Sequence, residues 1–362
     1  MDKKYWIALS AIEQLSPCFF KALIEYFGDA EKAFNASLED FKNIDTTLKK
    51  VSNFLEKRDK INPDKTFEEV ISRGIKFLTY YDEAYPSILR EISDPPMVLY
   101  YKGDLSRCNF ERTIAFVGSR HCSINGKEAT KQVIKGFAGT DVCIVSGLAT
   151  GIDSVAHNAA IENNIKTIGV IASGFDFVYP TTNRKLYKQI EDESGVIFTE
   201  YFPTFEPIKF RFPQRNRIVS GLSYGTVVAE AAIKSGALIT ANLTLEQGRE
   251  LMCIPGLINN PNTEGIYKLL KNGASIVTNA QDVLNALNWE IQSSTKPVQN
   301  NDFDNLTVDE KKILYTINIE PKTFDEIQKE TQIDTETLLE LLTTLELNSI
   351  ITQTADNRYR KE

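Results

Sequence analysis

The sequence predicts an α/β protein with a mostly parallel sheet that carries helices on both faces. Two observations lead to this fold class. First, short β-rich runs alternate with helical stretches from Lys76 onward, which is the pattern of β-α-β units. Second, 42% hydrophobic and 25% charged side chains are typical of a packed globular protein. The length of 362 residues suggests two or three domains. The predicted strands span residues 114–117, 142–146, 167–171, 196–199, 224–228 and 250–254.

A small helical domain is predicted ahead of the sheet, over residues 1–75. Apolar side chains from Ile7 to Leu15 follow helical spacing, Ser16-Pro17 breaks the pattern, and a second helix ends at Gly28. Glu13 and Gln14 interrupt the first apolar stretch, so it is neither a signal peptide nor a membrane span. We therefore expect a cytoplasmic protein without membrane contact. Shorter helices are predicted over residues 30–34, 38–41 and 48–58.

Two further segments follow the predicted core, which we place at residues 76–290. Residues 291–304 are polar, contain Pro297 and lack periodicity, as expected of a linker. After the linker, three helical segments precede two short β runs that are joined by a turn at residues 355–357. Three helices and a terminal hairpin predict a winged-helix domain over residues 305–362.

The net charge of −8 is concentrated in the C-terminal segment. Residues 301–362 hold fourteen Asp and Glu against seven Lys and Arg, so residues 1–300 carry a net charge of only −1. A nearly neutral body is compatible with a local basic patch, and local charge attracts phosphate. The five cysteines are scattered and there are only two histidines, so we expect no disulfide framework, no metal and no cofactor.

Two glycine-containing turns follow predicted strands. The first is Gly118-Ser119-Arg120, where glycine permits close backbone approach and the guanidinium can form two bonds to a phosphate. The second turn runs from Gly147 to Gly151, directly after Ser146, and two glycines flank its small residues. Loops at the carboxyl ends of parallel strands are where such sheets bind ligands. A tight connection without a ligand is the alternative for the first turn.

Asp153 and His157 follow the second turn, one helical turn apart. Two interpretations remain open: a structural cap with a buried, hydrogen-bonded histidine, or direct contact with a ligand. Neither turn matches the G-x-G-x-x-G or the G-x-x-x-x-G-K-[ST] pattern, and no G-x-S-x-G sequence is present. The sequence therefore indicates no catalytic residue, and we expect a protein that is not an enzyme.

The segment KFRFPQRNR, residues 209–217, combines four basic side chains with two aromatic ones and no acid. Basic side chains that follow a sugar-phosphate backbone, together with rings that stack on bases, are typical of single-strand binding. A second basic cluster contains Arg184, Lys185 and Lys188. The alternative is a solvated charged face with Phe210 and Phe212 in the core.

Between about residues 99 and 274 these segments together resemble the DNA-processing protein A family, DprA or Smf. The motifs occur in the family's order: FVGSR (116–120), SGLATGID with AH (146–157), the G-x-D-x-x-YP-x-x-N-x-x-L pattern (174–186), FPQRNRIVSGLS (212–223), SGALITA (235–241), EQGRELMCIPG (246–256) and NGA (272–274).

The resemblance implies an extended Rossmann-like core that binds single-stranded DNA cooperatively, dimerises, and loads the RecA recombinase during natural transformation. With the basic segment, it gives these candidate contacts to DNA: Gly118, Ser119, Arg120, Ser146, Gly147, Gly151, Lys185, Lys209, Arg211, Arg215, Asn216 and Arg217. Part of the 212–217 block is expected to support the pocket rather than to touch DNA. Self-association maps to residues 265–271, where Tyr267, Leu269 and Leu270 are the candidates. Thr150 departs from the family pattern, because many relatives have arginine there.

The N-terminal domain is expected to be SAM-like or helix-hairpin-helix-like, and its contact with DNA is left open. In the C-terminal domain the candidate recognition helix, residues 335–347, has three glutamates and no Lys or Arg, so duplex binding by it is not expected. We expect a protein-binding or packing role. The alternative function is a nucleotide-binding sensor or a phosphoribohydrolase-like enzyme, because Gly225-Thr226 and Glu230 resemble a G-T-x-x-E segment with longer spacing.

Overall fold

The computed structural model describes residues 2–42, 44, 47–290, 306–317, 321–348, 350–354 and 357–361. The chain forms two compact units, Met1–Ser294 and Thr295–Glu362. The predicted linker at 291–304 and most of the predicted turn at 355–357 lie outside the described residues.

The first unit contains a nine-stranded sheet. Its order is β1-β2-β6-β5-β4-β3-β7-β8-β9, in which the β1/β2 and β2/β6 pairs are antiparallel and all the others are parallel. The predicted α/β class with a mostly parallel sheet is confirmed. The strands are β1 (Lys76–Thr79), β2 (Val98–Gly103), β3 (Thr113–Gly118), β4 (Cys143–Ser146), β5 (Lys166–Val170), β6 (Gly195–Thr199), β7 (Gly225–Glu230), β8 (Glu250–Cys253) and β9 (Ser275–Ile276).

Thirteen α-helices accompany this sheet in the described residues. They are α1 (Lys3–Ser10), α2 (Pro17–Phe27), α3 (Ala30–Asn35), α4 (Leu48–Arg58), α5 (Pro63–Ser72), α6 (Ser87–Arg90), α7 (Ile124–Lys135), α8 (Ile152–Glu162), α9 (Arg184–Gln189), α10 (Arg211–Gly221), α11 (Ala237–Glu246), α12 (Glu264–Lys271) and α13 (Ala280–Ala286). Local signals set their ends. Ser16 caps α2 by accepting a hydrogen bond from the N–H of Phe19, and Gly28 ends it in the left-handed conformation.

Both faces of the sheet are apolar, because successive side chains of a strand point to opposite faces. In β3, Ala115 and Val117 belong to one buried cluster, whereas Ile114 and Phe116 belong to another. The first cluster contains side chains of α10, α11 and α12, and the second contains side chains of α7, α8 and α13. This arrangement brings the loops after β3 and β4 to one edge of the sheet, between two layers of helices.

The N-terminal helices pack on the core. Their buried cluster includes Trp6 and Phe20, and it extends to Met97, Tyr100 and Phe202 of the sheet region. Burial of this apolar surface joins residues 3–72 to the β2 edge, so the helices and the sheet lie in one compact unit.

The second unit has α14 (Val308–Ile317), β10 (Lys322–Thr323), α15 (Phe324–Thr331), α16 (Thr335–Leu347), β11 (Ile351–Gln353) and β12 (Arg358–Lys361). Its sheet has the order β10-β12-β11 and is antiparallel. Three helices and the terminal β11/β12 pair are present, and the winged-helix assignment stays a prediction. In α16, Leu338, Leu342 and Leu345 are buried, whereas all three glutamates are exposed. No helix in the described part of the chain is long and apolar enough to cross a membrane.

Candidate functional site

The two glycine turns lie side by side, because β3 and β4 are adjacent and parallel. We call residues 118–120 the first turn and residues 147–151 the second turn. The N–H of Ile152 donates to the carbonyl of Ser119 at 3.1 Å. Gly151 has φ +81°, and a side chain there would overlap the Ser119 carbonyl and lie 2.7 Å from the Cα of Arg120. Only glycine allows the turns to approach this closely.

The turns form one wall of a cavity of about 480 Å³, which we call the turn cavity. The start of α10 and the N-terminal end of α11 form the other walls. Six of the predicted contact residues line it: Gly118, Arg120, Gly147, Lys209, Arg215 and Asn216. The fold therefore brings together predicted contact residues that are up to 98 positions apart in the chain.

A cation-aromatic group lies at the rim of the turn cavity. The guanidinium carbon of Arg120 is 5.4 Å from the centre of the Phe212 ring, and the Tyr179 ring is 5.4 Å from Phe212. Arg120 and Lys209 are exposed. Among the described residues, no carboxylate lies within ion-pair distance of either side chain. Both charges are thus available to an anionic ligand.

Arg215 fixes the shape of the second turn. Its side chain is 4% exposed, and its Nη1 donates to the carbonyls of Gly147 and Val170. Burial lowers the pKa of Arg215, and the charge of Asp153 partly offsets this effect. A Cβ at Gly147 would lie 2.6 Å from the guanidinium carbon, so glycine is required beside the buried arginine. Arg215 therefore positions the turn, although its side chain also reaches the cavity.

Asp153 supports the same turn from the other side. Its carboxylate accepts hydrogen bonds from the N–H groups of Gly147 at 3.1 Å and Ala149 at 3.4 Å. Burial raises the pKa of Asp153, whereas the charge of Arg215 and these two hydrogen bonds act in the opposite direction. Asp153 thus holds the loop before α8, and it also lines the turn cavity.

His157 has a structural environment. It is fully buried, and its Nδ1 lies 2.7 Å from the hydroxyl of Thr167. Since that hydroxyl donates to the carbonyl of Ile144, Nδ1 must carry the proton. Burial lowers the pKa of His157 to about 3, so the ring is neutral. Of the two interpretations of this histidine, the buried and hydrogen-bonded one agrees with the structure.

Three predicted phosphate contacts have other partners, which corrects the prediction for them. The Ser146 side chain is fully buried, and its hydroxyl donates to the Phe116 carbonyl at 2.6 Å. Arg217 forms ion pairs with Glu200 at 2.6 Å and Asp94 at 2.8 Å. Their groups are therefore committed inside the protein.

Arg211 is the third of these residues. It is 3% exposed, pairs with Glu13 at 3.0 Å, and lies over the rings of Tyr201 and Phe205. The four basic residues of the 209–217 segment looked equivalent in the sequence. Their spacing does not separate them, because Arg211 and Arg215 are four residues apart on α10 and share a helix face. Their partners differ: Arg211 pairs with Glu13, whereas Arg215 donates to carbonyl groups of the sheet region.

Ser119, Gly151 and Lys185 are not part of the lining of the turn cavity. The N–H of Ser119 donates to the Glu230 carbonyl at 2.8 Å, and its hydroxyl accepts from the N–H of His121 at 3.1 Å. Lys185 is exposed in the first turn of α9. The start of α9 is attached to the second turn by Asn183, whose Nδ2 donates to the Leu148 carbonyl at 2.9 Å.

A family profile described as DNA recombination-mediator protein A matches residues 76–288, more than half of the chain. The chain belongs to this family. Among curated relatives, the DNA processing protein DprA of Streptococcus pneumoniae is 45% identical over 203 residues, which is 56% of this chain and 71% of the relative. The DprA of Bacillus subtilis is 39% identical over 225 residues, 62% of this chain and 75% of the relative.

Solved structures from the same family match the fold. The X-ray structure of DprA from Streptococcus pneumoniae has a TM-score of 0.69 and 36% identity, and the match covers 78% of this chain and 97% of that one. A structure of DNA processing protein A from Helicobacter pylori, which concerns its single-stranded DNA binding mode, has a TM-score of 0.53 and 31% identity. That match covers 60% of this chain and 97% of that one.

The residues that suggested an enzyme have structural partners in this family member. The Glu230 carboxylate accepts from the N–H of Ser123 at 2.8 Å and from its hydroxyl at 2.5 Å, at the start of α7. Thr226 is fully buried and its hydroxyl accepts from Thr244. Neither Glu230 nor Thr226 lines the turn cavity.

The predicted self-association residues differ in exposure. Leu269 is 6% exposed and belongs to the core cluster, which corrects its assignment to a surface. Leu270 is half-buried against the same cluster, and the Tyr267 hydroxyl donates to the Gly256 carbonyl. The exposed apolar side chains of this region are instead Leu257, Ile258 and Ile276.

The segment SGALITA (235–241) contributed to the family resemblance, but none of its residues was predicted to contact a ligand. Ser235, Gly236 and Thr240, at the N-terminal end of α11, line the turn cavity. A signal was present, because this segment is a glycine-containing connection between β7 and a helix, like the two turns that were predicted. Tyr179 was missed for a different reason, since its contact with Phe212 joins distant parts of the chain.

Proposed function

We propose that the chain binds single-stranded DNA in the turn cavity and acts as a recombination mediator that loads a RecA-type recombinase during natural transformation. One observation carries the first part: Arg120 and Lys209 present unpaired charge beside the exposed ring of Tyr179 and the half-buried ring of Phe212. Cations that contact phosphates and rings that stack on bases are the elements of single-strand recognition. The binding mode attributed to the Helicobacter pylori relative supports the same ligand.

The charge distribution around the turn cavity favours an anionic polymer. The carboxylate in its lining belongs to Asp153, which is buried and faces the guanidinium of Arg215. Lys185, on the helix attached to the second turn, adds a further exposed cation. A DNA strand that follows these three cations would release several counterions, so its affinity should depend strongly on salt.

Protection of incoming DNA and recombinase loading rest on the family resemblance. We also propose that the protein is not an enzyme and that it acts in the cytoplasm. The proposed domains are the N-terminal helices (1–75), the core (76–290) and the C-terminal domain (305–362), and the first two pack together in one compact unit. Self-association as a homodimer is proposed at the α12 end of the sheet, with Tyr267 and Leu270 beside the exposed Leu257, Ile258 and Ile276.

For the C-terminal domain we propose a protein-binding or packing role. The exposed glutamates of α16 would repel a phosphate backbone. Arg358 and Arg360 on β12 leave contact between the wing and DNA open.

Fluorescence anisotropy with a labelled oligo-dT over a salt series tests DNA binding. Arg120→Ala and Lys185→Ala should weaken binding and reduce the slope of log affinity against log salt by about 0.7 for each lost phosphate contact. Lys135→Ala is the matched control, because Lys135 is exposed at the far end of α7. Unchanged affinity in both variants, or binding of mononucleotides alone, would overturn the proposal.

Recombinase loading needs a separate experiment. Filament formation by a RecA-type recombinase should be measured on oligo-dT already covered with a single-strand-binding protein. The wild-type chain should accelerate it, whereas Arg120→Ala should not. Equal rates with and without the wild-type chain would remove this part of the proposal while leaving DNA binding in place.

A further inference from the structure

A second large cavity lies between the N-terminal helices and the core. Its volume is about 510 Å³, and we call it the cap cavity. One side is the connection between α1 and α2, including Gln14 and Leu15. The other side is formed by Phe210 and Gln214 around the start of α10 and by Leu243 of α11. Both sides belong to the same compact unit.

The cap cavity adjoins the turn cavity. Pro213 and Ile239 line both of them, so these two side chains form a ridge between the cavities. Ile239 is 41% exposed, and Pro213 is exposed as well. A polymer held in the turn cavity would therefore reach the cap cavity by crossing Pro213 and Ile239.

The charges around the cap cavity are paired internally. Arg217 is bound by Asp94 and Glu200, and Arg211 is bound by Glu13. The described lining thus offers no unpaired cation to a phosphate, in contrast to Arg120 and Lys209 of the turn cavity. A neutral group fits this environment better than an anion.

The groups that the cap cavity does offer suit a flat, polar ring. The Phe210 ring is 51% exposed, with the guanidinium of Arg211 5.8 Å from its centre. Gln214 accepts from the Tyr201 hydroxyl through Oε1, and Gln14 accepts from Lys57 through Oε1. Neither side-chain NH₂ group donates to another described residue, so both are available to a carbonyl oxygen of a base.

We propose that the cap cavity is a subsite for one unpaired base of a DNA strand whose phosphates lie in the turn cavity. The base stacks on Phe210 and accepts a hydrogen bond from Gln214, while Leu15 and Leu243 cover its edges. The proposal rests on the proposed function, and it assigns the N-terminal helices a part in DNA binding. Phe210 and Phe212 then serve two different bases, on opposite sides of the ridge.

The test compares two ligands on the full chain: a labelled oligo-dT and an oligomer of the same length without bases. Phe210→Ala should weaken binding of oligo-dT about tenfold, the scale of one base-aromatic stack, and leave the salt slope unchanged. It should not alter binding of the abasic oligomer. Phe210→Trp should retain wild-type affinity, which separates stacking from loss of folding. Tyr26→Ala, which removes an exposed ring outside both cavities, is the matched control.

Failure of the subsite is distinguishable from failure of the proposed function. Oligo-dT affinity that is unchanged by Phe210→Ala but lowered by Arg120→Ala would overturn the subsite and leave the proposed function intact. An equal loss of affinity for oligo-dT and for the abasic oligomer in Phe210→Ala would also overturn the subsite, because the effect of the ring would then not depend on a base. Absence of oligo-dT binding by the wild-type chain would overturn both proposals.

Discussion

Replacing Arg217 by glutamine should destabilise the folded chain without removing a DNA contact. The Arg217 side chain is 7% exposed and donates three hydrogen bonds to the carboxylates of Glu200 and Asp94, at 2.6 to 2.9 Å. Burial by itself lowers the pKa of Arg217, but the charges of Glu200 and Asp94 raise it above its usual value. The arginine is therefore charged and fully engaged.

The expected loss of unfolding free energy follows from the carboxylate that the substitution leaves without a partner. The Glu200 side chain is 12% exposed, so without Arg217 it becomes a nearly buried carboxylate with no cation. Breaking such a pair by removing one partner costs about 3 to 5 kcal/mol. For a unit of this size, that corresponds to a fall of roughly 6 to 10 °C in the unfolding midpoint. Combining Arg217→Gln with Glu200→Gln should recover part of the loss, because the unpaired charge is then gone.

Thermal and urea unfolding followed by circular dichroism measure this change. Arg184→Gln is the matched control, because Arg184 is exposed and its loss should change the unfolding free energy by no more than about 0.5 kcal/mol. The reasoning would be refuted by an Arg217→Gln chain that keeps wild-type stability but has a lower salt slope for oligo-dT. Arg217 would then be a phosphate contact after all.

Three further predictions concern residues in and next to the second turn. In the folded chain His157 stays neutral down to about pH 3, whereas in the unfolded chain it takes up a proton below about pH 6.5. The free energy of unfolding therefore falls by up to about 1.4 kcal/mol for each pH unit between 6.5 and 3 as the pH is lowered. His157→Asn should lose this part of the pH slope in urea titrations, whereas the exposed His121→Asn should keep it; equal slopes would count against the buried neutral ring. Ser146→Ala should lower the unfolding free energy by about 1 kcal/mol and leave oligo-dT affinity unchanged. A loss of affinity without a loss of stability would instead mean that Ser146 contacts DNA. Gly151→Ala should lower the unfolding free energy by more than about 2 kcal/mol, because Gly151 has a positive φ and contacts the first turn. Gly236→Ala is the control and should have a smaller effect, because its added methyl group meets nothing within 4 Å. Similar unfolding midpoints for the two variants would contradict this prediction.

The parallel part of the sheet could be predicted because its strands are buried on both faces and form continuous apolar runs. All six predicted strands correspond to β3–β8, with ends that differ by at most two residues. The strands β1 and β2 were missed, since β1 has only four residues and begins at Lys76, and Lys102 ends the apolar run of β2. β9 is only two residues long and gives no periodic signal.

The turns of the candidate site could be predicted from local sequence, whereas the roles of the arginines could not. Gly118, Gly147 and Gly151 mark strand-to-helix turns, and the parallel order then places them together. The partners of Arg211 and Arg217 are Glu13 and Asp94, which lie 198 and 123 positions away in the sequence. No local pattern shows that such an arginine is neutralised, so KFRFPQRNR indicated four basic contacts, of which only Lys209 and Arg215 line the turn cavity.

Photo-crosslinking of the full chain to a 4-thiothymidine oligomer, followed by peptide mapping, tests most directly where single-stranded DNA lies. The account predicts crosslinks in residues 118–120, 179–185 and 209–216, and their loss in the Arg120→Ala chain. Crosslinks confined to residues 306–361, with none around the turn cavity, would contradict it.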